Sequence, residues 1–215
     1  MRAFYSTTAR VHDGQLEASI ASTAAAKKVV GRHGGDVRLF VSVAAGEQAE
    51  TTLFAVEYED AEALGRAFDA MNADPDLSAI RSSGAGTSTI VSSSIGYELP
   101  LAFSSNRGRG SVLELHTFQV KPGRMEEFLA TSAETCAFVE ANGALNATAL
   151  QLAYAGMATG MACLAWQHES LTAHARSAAA WNSDAGIAIQ TKTGPLAADP
   201  AIVSAGSMLL SEVPL

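Results

Sequence analysis

Two stretches of this chain read alike, and that internal repeat constrains the fold more than any other feature. Thr8-Ala-Arg-Val11-His-Asp-Gly14-Gln-Leu16-Glu17 matches Thr117-Phe-Gln-Val120-Lys-Pro-Gly123-Arg-Met125-Glu126. The same offset pairs Gly34 with Gly143 and sets Glu57-Tyr58-Glu59-Asp60 on Trp166-Gln167-His168-Glu169. Near the ends, Tyr97-Glu-Leu-Pro-Leu101 matches Ser211-Glu-Val-Pro-Leu215 at a slightly larger offset, which puts a short insertion of the second copy within 191–199. The matches fall at turns and element ends in the same order, as expected of a duplicated unit whose core has diverged.

Each half predicts the same succession of elements. A strand (2–11 or 112–120) ends in His-Asp-Gly or Lys-Pro-Gly turn chemistry. A helix follows, in the second copy with Met125, Leu129, Ser132, Cys136 and Val139 at helical spacing. Glu126 and Glu127 suit its positive N-terminal end, and Gly143 or Gly34 stops it. Two strands come next (37–44 with 51–58, or 146–154 with 160–167), joined through loops containing Gly46 or Gly156. A second helix (61–72 or 170–182) is capped by Asp60 or Ser170, and a last strand (89–99 or 203–213) closes the half. The class is α+β, two tandem ferredoxin-like β-α-β-β-α-β units. The units span 1–101 and 111–215, with 102–110 as a polar, Gly-rich solvated linker carrying Arg107 and Arg109. Strands apolar on both faces should not leave one face wet, so the antiparallel sheets are expected to pair into a pseudo-dimeric α/β barrel around a cavity.

A formal charge of −8 excludes the basic face that nucleic acid requires. No apolar run approaches a membrane span, and Met1-Arg-Ala-Phe-Tyr lacks a signal-peptide core, so a cytoplasmic protein without a membrane partner is expected. Cys136 and Cys163 have no metal-ligand spacing and sit in apolar surroundings, which favours buried free thiols over a disulfide. No HExxH, close His/Cys/Asp cluster, phosphate loop or nucleophile elbow is present, so no metal site is expected.

Leu113-Glu-Leu-His-Thr-Phe-Gln-Val-Lys-Pro-Gly-Arg-Met-Glu-Glu-Phe128 resembles the opening strand, Pro-Gly turn and helix of NIPSNAP-like proteins. Trp166-Gln-His168-Glu-Ser170-Leu171, with Ala175-Arg176 and Trp181, is similar to that family's Trp-x-Tyr-x-Ser-Leu segment. His116 stands where the family usually has Arg, and His168 where it has Tyr. The resemblance implies the dimeric α/β-barrel group, which includes cofactor-free monooxygenases, haem proteins, small decarboxylases and isomerases.

Period two on the second copy's first strand puts Glu114, His116 and Phe118 on one face and Leu113, Leu115 and Thr117 on the other. The Leu113/Leu115 face is expected under the helices, which points Glu114 and His116 into the barrel as a proton-transferring pair. The bland alternative is a strand-edge ion pair. Tyr5 is expected across the cavity from them, and Phe118, Trp166 and His168 complete the substrate-binding candidates, Trp166 either stacking on a planar ligand or filling core. His168 is otherwise expected as a solvated or capping residue, His174 on the surface, and His12 and His33 in structural roles.

Two functions fit. One is a cofactor-independent monooxygenase or isomerase-like enzyme on a small hydrophobic or aromatic compound. The other is a non-catalytic small-ligand-binding or assembly protein, with the small-residue helix (Ala173, Ala175, Ala178, Ala179, Ala180) offering a homodimer contact. No cofactor is expected in either. Haem binding is a third option, with His116 as the axial candidate.

Overall fold

The structure, a computed structural model, describes residues 1–46, 50–84, 86–192 and 196–215. The first half runs β1 (Ala3–Val11), α1 (Leu16–Arg32), β2 (Asp36–Ala44), β3 (Thr51–Tyr58), α2 (Ala61–Asn72), α3 (Pro75–Gly84) and β4 (Ser88–Glu98). The second runs β5 (Val112–Val120), α4 (Met125–Ala141), β6 (Leu145–Tyr154), β7 (Ala162–His168), α5 (Leu171–Trp181), α6 (Asp184–Lys192) and β8 (Ile202–Val213). The expected strands and helices fall within a few residues of these bounds. Helices α3 and α6 were not expected; part of the proposed insertion, 193–195, lies outside the described residues.

The repeat-matched positions have a physical basis. Gly14 and Gly123 both turn with positive φ (72° and 76°), as do Gly34 and Gly143 at the two helix ends (84° and 94°), where a Cβ is unfavourable. Asp60 caps α2 by accepting from Ala63 N at 2.7 Å, and Ser170 caps α5 by accepting from Ala173 N at 3.2 Å.

The eight strands among the described residues close into one antiparallel barrel in the order β1-β3-β2-β8-β5-β7-β6-β4. Each half contributes four neighbouring strands in the same relative order, β4-β1-β3-β2 and β8-β5-β7-β6. The two junctions are short. β2 meets β8 over 39–44 against 209–213, and β4 meets β6 over 95–98 against 150–154. Beyond them, the first halves of β4 and β8 are exposed and hydrogen-bonded on one side, to β1 and β5.

Three apolar cores follow. One lies between the first sheet and α1–α3, around Val29, Val37, Val56, Leu64 and Met71. A second lies between the second sheet and its helices, around Phe118, Phe128, Cys136, Val139 and Trp166. The third, Phe40, Leu53 and Leu210 with Leu113, Leu115 and Met208, is inside the barrel. The cysteines are free and buried, and burial pushes both thiols up to about 12.

Candidate functional site

The barrel interior holds a cavity of about 1420 Å³. Its wall comes from inward-facing side chains of alternate strand positions: Phe4, Phe40, Leu53, Leu115, Leu152 and Met208, with Ser6, Thr8, Ser94 and Thr148 between them. That volume exceeds the range usual for small-molecule pockets, roughly 300–1,000 Å³.

The base of the cavity is polar. Arg2 donates from Nη2 to Glu98 Oε1 at 2.8 Å, and from Nη1 to Glu57 at 3.0 Å and Asn146 at 3.2 Å. Arg38, 9% exposed, donates from Nε and Nη2 to the two Glu212 oxygens at 2.8 and 2.6 Å and from Nη1 to Gln167 Oε1 at 2.7 Å. It also donates to the Gly110 carbonyl. Glu98 and Glu212 are the two glutamates of the matched C-terminal motifs, and each is paired with two arginines, Arg2 and Arg107 for Glu98 and Arg38 and Arg109 for Glu212. Burial alone would push the Glu98 carboxyl up; the hydrogen bonds and charge of Arg2, with Arg107, outweigh it and hold Glu98 at about 2. The Arg38 hydrogen bonds likewise lower Glu212.

Segment 102–110 is solvated over much of its length, as expected, but it is also anchored. Arg107 bonds Glu98 and Arg109 bonds Asp36, each at 3.0 Å, so the segment braces the base from outside. At the opposite end the rim is open, with Ile90, Val91, Tyr154, Met157 and Val203 exposed.

The structure reverses the expected face of β5. Leu113, Leu115 and Thr117 line the cavity, whereas Glu114, His116 and Phe118 lie on the outer face beneath the helices. Both faces of the strand are apolar enough to be covered. Closure of the barrel gives the leucines to the inside, while the outer aromatics pack on α4. Tyr5 is displaced in the same sense. It sits outside the barrel under α2, edge-on to Phe68 with ring centroids 5.2 Å apart, its hydroxyl accepting from Thr7. It does not oppose Glu114.

Glu114 is nevertheless the centre of a cluster, which gathers His116, Trp166 and His168 and leaves Phe118 in the core beside Phe128. His116 Nε2 donates to Glu114 Oε1 at 2.8 Å. An ionised carboxylate only accepts, and Nδ1 of the same ring pairs with the Ser207 hydroxyl, also at 2.8 Å. Trp166 Nε1 donates to Glu114 Oε2 at 2.8 Å, and its ring stacks on His116 with centroids 4.8 Å apart. His168 is not a solvated cap: it is fully buried, with Nε2 3.2 Å from the same Oε2. His174, expected on the surface, brings Nε2 from α5 to 3.4 Å from that oxygen. Burial would raise the Glu114 carboxyl, but the hydrogen bonds from His116 and His168, then the charge of His116 and the Trp166 hydrogen bond, hold it well below the usual carboxylate range. With both nitrogens engaged and Trp166 over its face, His116 does not present an axial ligand to haem in this arrangement.

Glu114, His168 and His174 each offer one ligand atom, all within 4.8 Å of one another. No such grouping was visible from sequence spacing, and the fold brings these three potential ligands together from β5, β7 and α5. A partial signal was present in the sequence: a cap at Ser170 sets His174 in the first turn of α5, directly after the strand that carries His168.

No family model and no curated protein matches the chain, so the NIPSNAP-like resemblance gains no support from that side. Solved structures do match. A candidate monooxygenase from Fusobacterium nucleatum superposes with a TM-score of 0.61 at 12% identity, covering 99% of this chain and 93% of that one. An anthrone oxidase-like protein gives 0.57 at 15%, covering 99% and 92%. A mutant chlorite dismutase from Candidatus Nitrospira defluvii gives 0.60 at 11%, also covering 99% and 92%. At these identities the likeness concerns fold. The chain has the dimeric α/β-barrel fold, α+β in class. Among the described residues no helix is long and apolar enough to cross a membrane.

Proposed function

We propose that this protein binds a small hydrophobic or aromatic compound inside its barrel. The observation that carries this reading is the cavity itself, with an apolar wall, a base of fully paired charges and an apolar open rim. Tandem ferredoxin-like units, 1–101 and a NIPSNAP-like 111–215 bridged by 102–110, account for it: two halves with the same strand order turn their bare sheet faces toward each other. A naphthyl dye that fluoresces in apolar surroundings tests the reading. Wild-type protein should bind it with saturation, and Leu152→Trp and Ser94→Trp, which fill the interior, should weaken binding roughly tenfold or more, about 1.4 kcal/mol. Dye binding unchanged in both variants, with folding intact, would overturn it.

A catalytic reading is favoured by one further observation, the hydrogen-bonded His116–Glu114 pair stacked on Trp166. In this reading the protein is a monooxygenase- or isomerase-like enzyme without a cofactor, and His116 carries the proton while Glu114 orients it. Its structural neighbours described as a monooxygenase and as anthrone oxidase-like support that class. Substrate would reach His116 from the helix side, since the ring faces away from the cavity. Turnover that survives His116→Ala would remove the assignment.

A further inference from the structure

We infer that Glu114, His168 and His174 form a binding site for a divalent transition metal of the zinc class, on the outer face of the second sheet. This goes beyond the ligand-binding reading and does not depend on it, because the three residues lie on the opposite side of β5 and β7 from the cavity.

The first support is donor chemistry. Two imidazoles and one carboxylate are the set that zinc takes when it keeps an open position, and thiolates are not needed. The second is distance. Bonds near 2.0–2.1 Å at tetrahedral angles put ligand atoms about 3.3 Å apart. Two of the three ligand–ligand edges match, since Glu114 Oε2 stands 3.2 Å from His168 Nε2 and 3.4 Å from His174 Nε2, and the three ligand atoms together lie within 4.8 Å of one another. Those separations are long for hydrogen bonds to a carboxylate, which run about 2.7–2.9 Å when charge-assisted.

The third support is a count of lone pairs. Oε2 faces three nitrogens, those of Trp166, His168 and His174. An sp² oxygen has two lone-pair directions. With a metal the arithmetic closes: one direction accepts from Trp166, the other ligates, and the imidazoles bind the metal instead of competing for the oxygen. The His168 ring is shut off from water, and Nε2 is the nitrogen it turns toward Glu114.

The surroundings hold the ligands in place. His116 bonds the other Glu114 oxygen and Trp166 bonds the ligating one, fixing the carboxylate's rotation as second-shell partners do. Gly110 presses its bare Cα side against the His168 backbone, which sets the height of that strand end. A path exists as well. The Glu114 and His174 side chains are 20% and 22% exposed, so the metal can arrive from solvent and keep water or another oxygen donor as its fourth ligand.

Titration of chelator-treated protein with Co²⁺, then displacement by Zn²⁺, tests the site. Wild type should take up one equivalent and show the visible bands of tetrahedral cobalt, lost when Zn²⁺ is added. His174→Ala, on a helix surface, should fold normally and weaken binding at least roughly 100-fold. Glu114→Gln should do the same, and His33→Ala, far from the cluster, should not. Co²⁺ uptake without tetrahedral bands, no uptake, or uptake unchanged by His174→Ala would each overturn the site.

Discussion

Replacing Arg38 by methionine probes the base of the barrel, and its outcome can be worked from the geometry. Arg38 makes two charge-assisted bonds to Glu212, one to Gln167 and one to the Gly110 carbonyl, and lies 4.7 Å over the Phe40 ring. Bonds to charged groups contribute about 1.5–3 kcal/mol each when buried, but Glu212 is a quarter exposed and recovers water on losing its partner. Methionine keeps contact with Phe40 and returns about 1 kcal/mol. The net expected loss is about 2–4 kcal/mol, read as a lower urea midpoint at unchanged slope. A cycle with Glu212→Gln should give a coupling of about 1.5–3 kcal/mol. The pH dependence has a definite sign. Glu212 is lowered in the folded state by the Arg38 bonds, so its stabilisation is complete above its unfolded value near 4.5 and is lost as pH falls through the folded value. Arg38→Met should therefore shrink the acid-side loss of stability. A variant within 0.5 kcal/mol of wild type (about the noise of such measurements), or a coupling near zero, would refute the idea that these charges clamp the β2–β8 junction.

Three further outcomes are expected. Glu98→Gln should flatten the stability profile between about 4.5 and 2, removing about 1–2 kcal/mol after discounting for solvent at the barrel base, as followed by melts across that range. Gly110→Ala places a Cβ 2.2 Å from the His168 carbonyl oxygen, so it should cost about 2–4 kcal/mol and displace His168; calorimetry checks the first and cobalt affinity the second. Ser170→Ala removes the α5 cap and should cost about 1 kcal/mol in chemical denaturation, with a matching loss for Asp60→Ala in α2.

Strand and helix positions were legible because turns demand particular residues: Gly14 and Gly123, Gly34 and Gly143, Asp60 and Ser170 all stand where the backbone or a helix end requires them. The inward face of β5 was not legible. Period two separates Leu113 and Leu115 from Glu114 and His116, but both faces of a barrel strand are buried, and hydrophobicity alone does not say which side holds the helices. Phe118 carried the missing information, since it shares a face with His116 and packs on Phe128 of α4. Helix α3 escaped notice because Leu77 and Ile80 are too few to set a period, although Pro75 after Asp74 is a helix start. The metal-ligand cluster escaped because its members come from β5, β7 and α5, and a search for ligands at close sequence spacing does not join residues brought together by strand pairing.

The short junctions between the two sheets bear on how the barrel works as a mechanical object. Two stiff four-stranded shells are stitched over 39–44 and 95–98, and their arginine–glutamate clamps lie at the base. Compliance is thus concentrated at the far end, where 88–94 and 202–208 have hydrogen-bonding neighbours on one side. A ligand of the proposed kind would therefore enter at this end. Amides along the open edges of β4 and β8 should accordingly exchange with solvent well before those of β1 and β5.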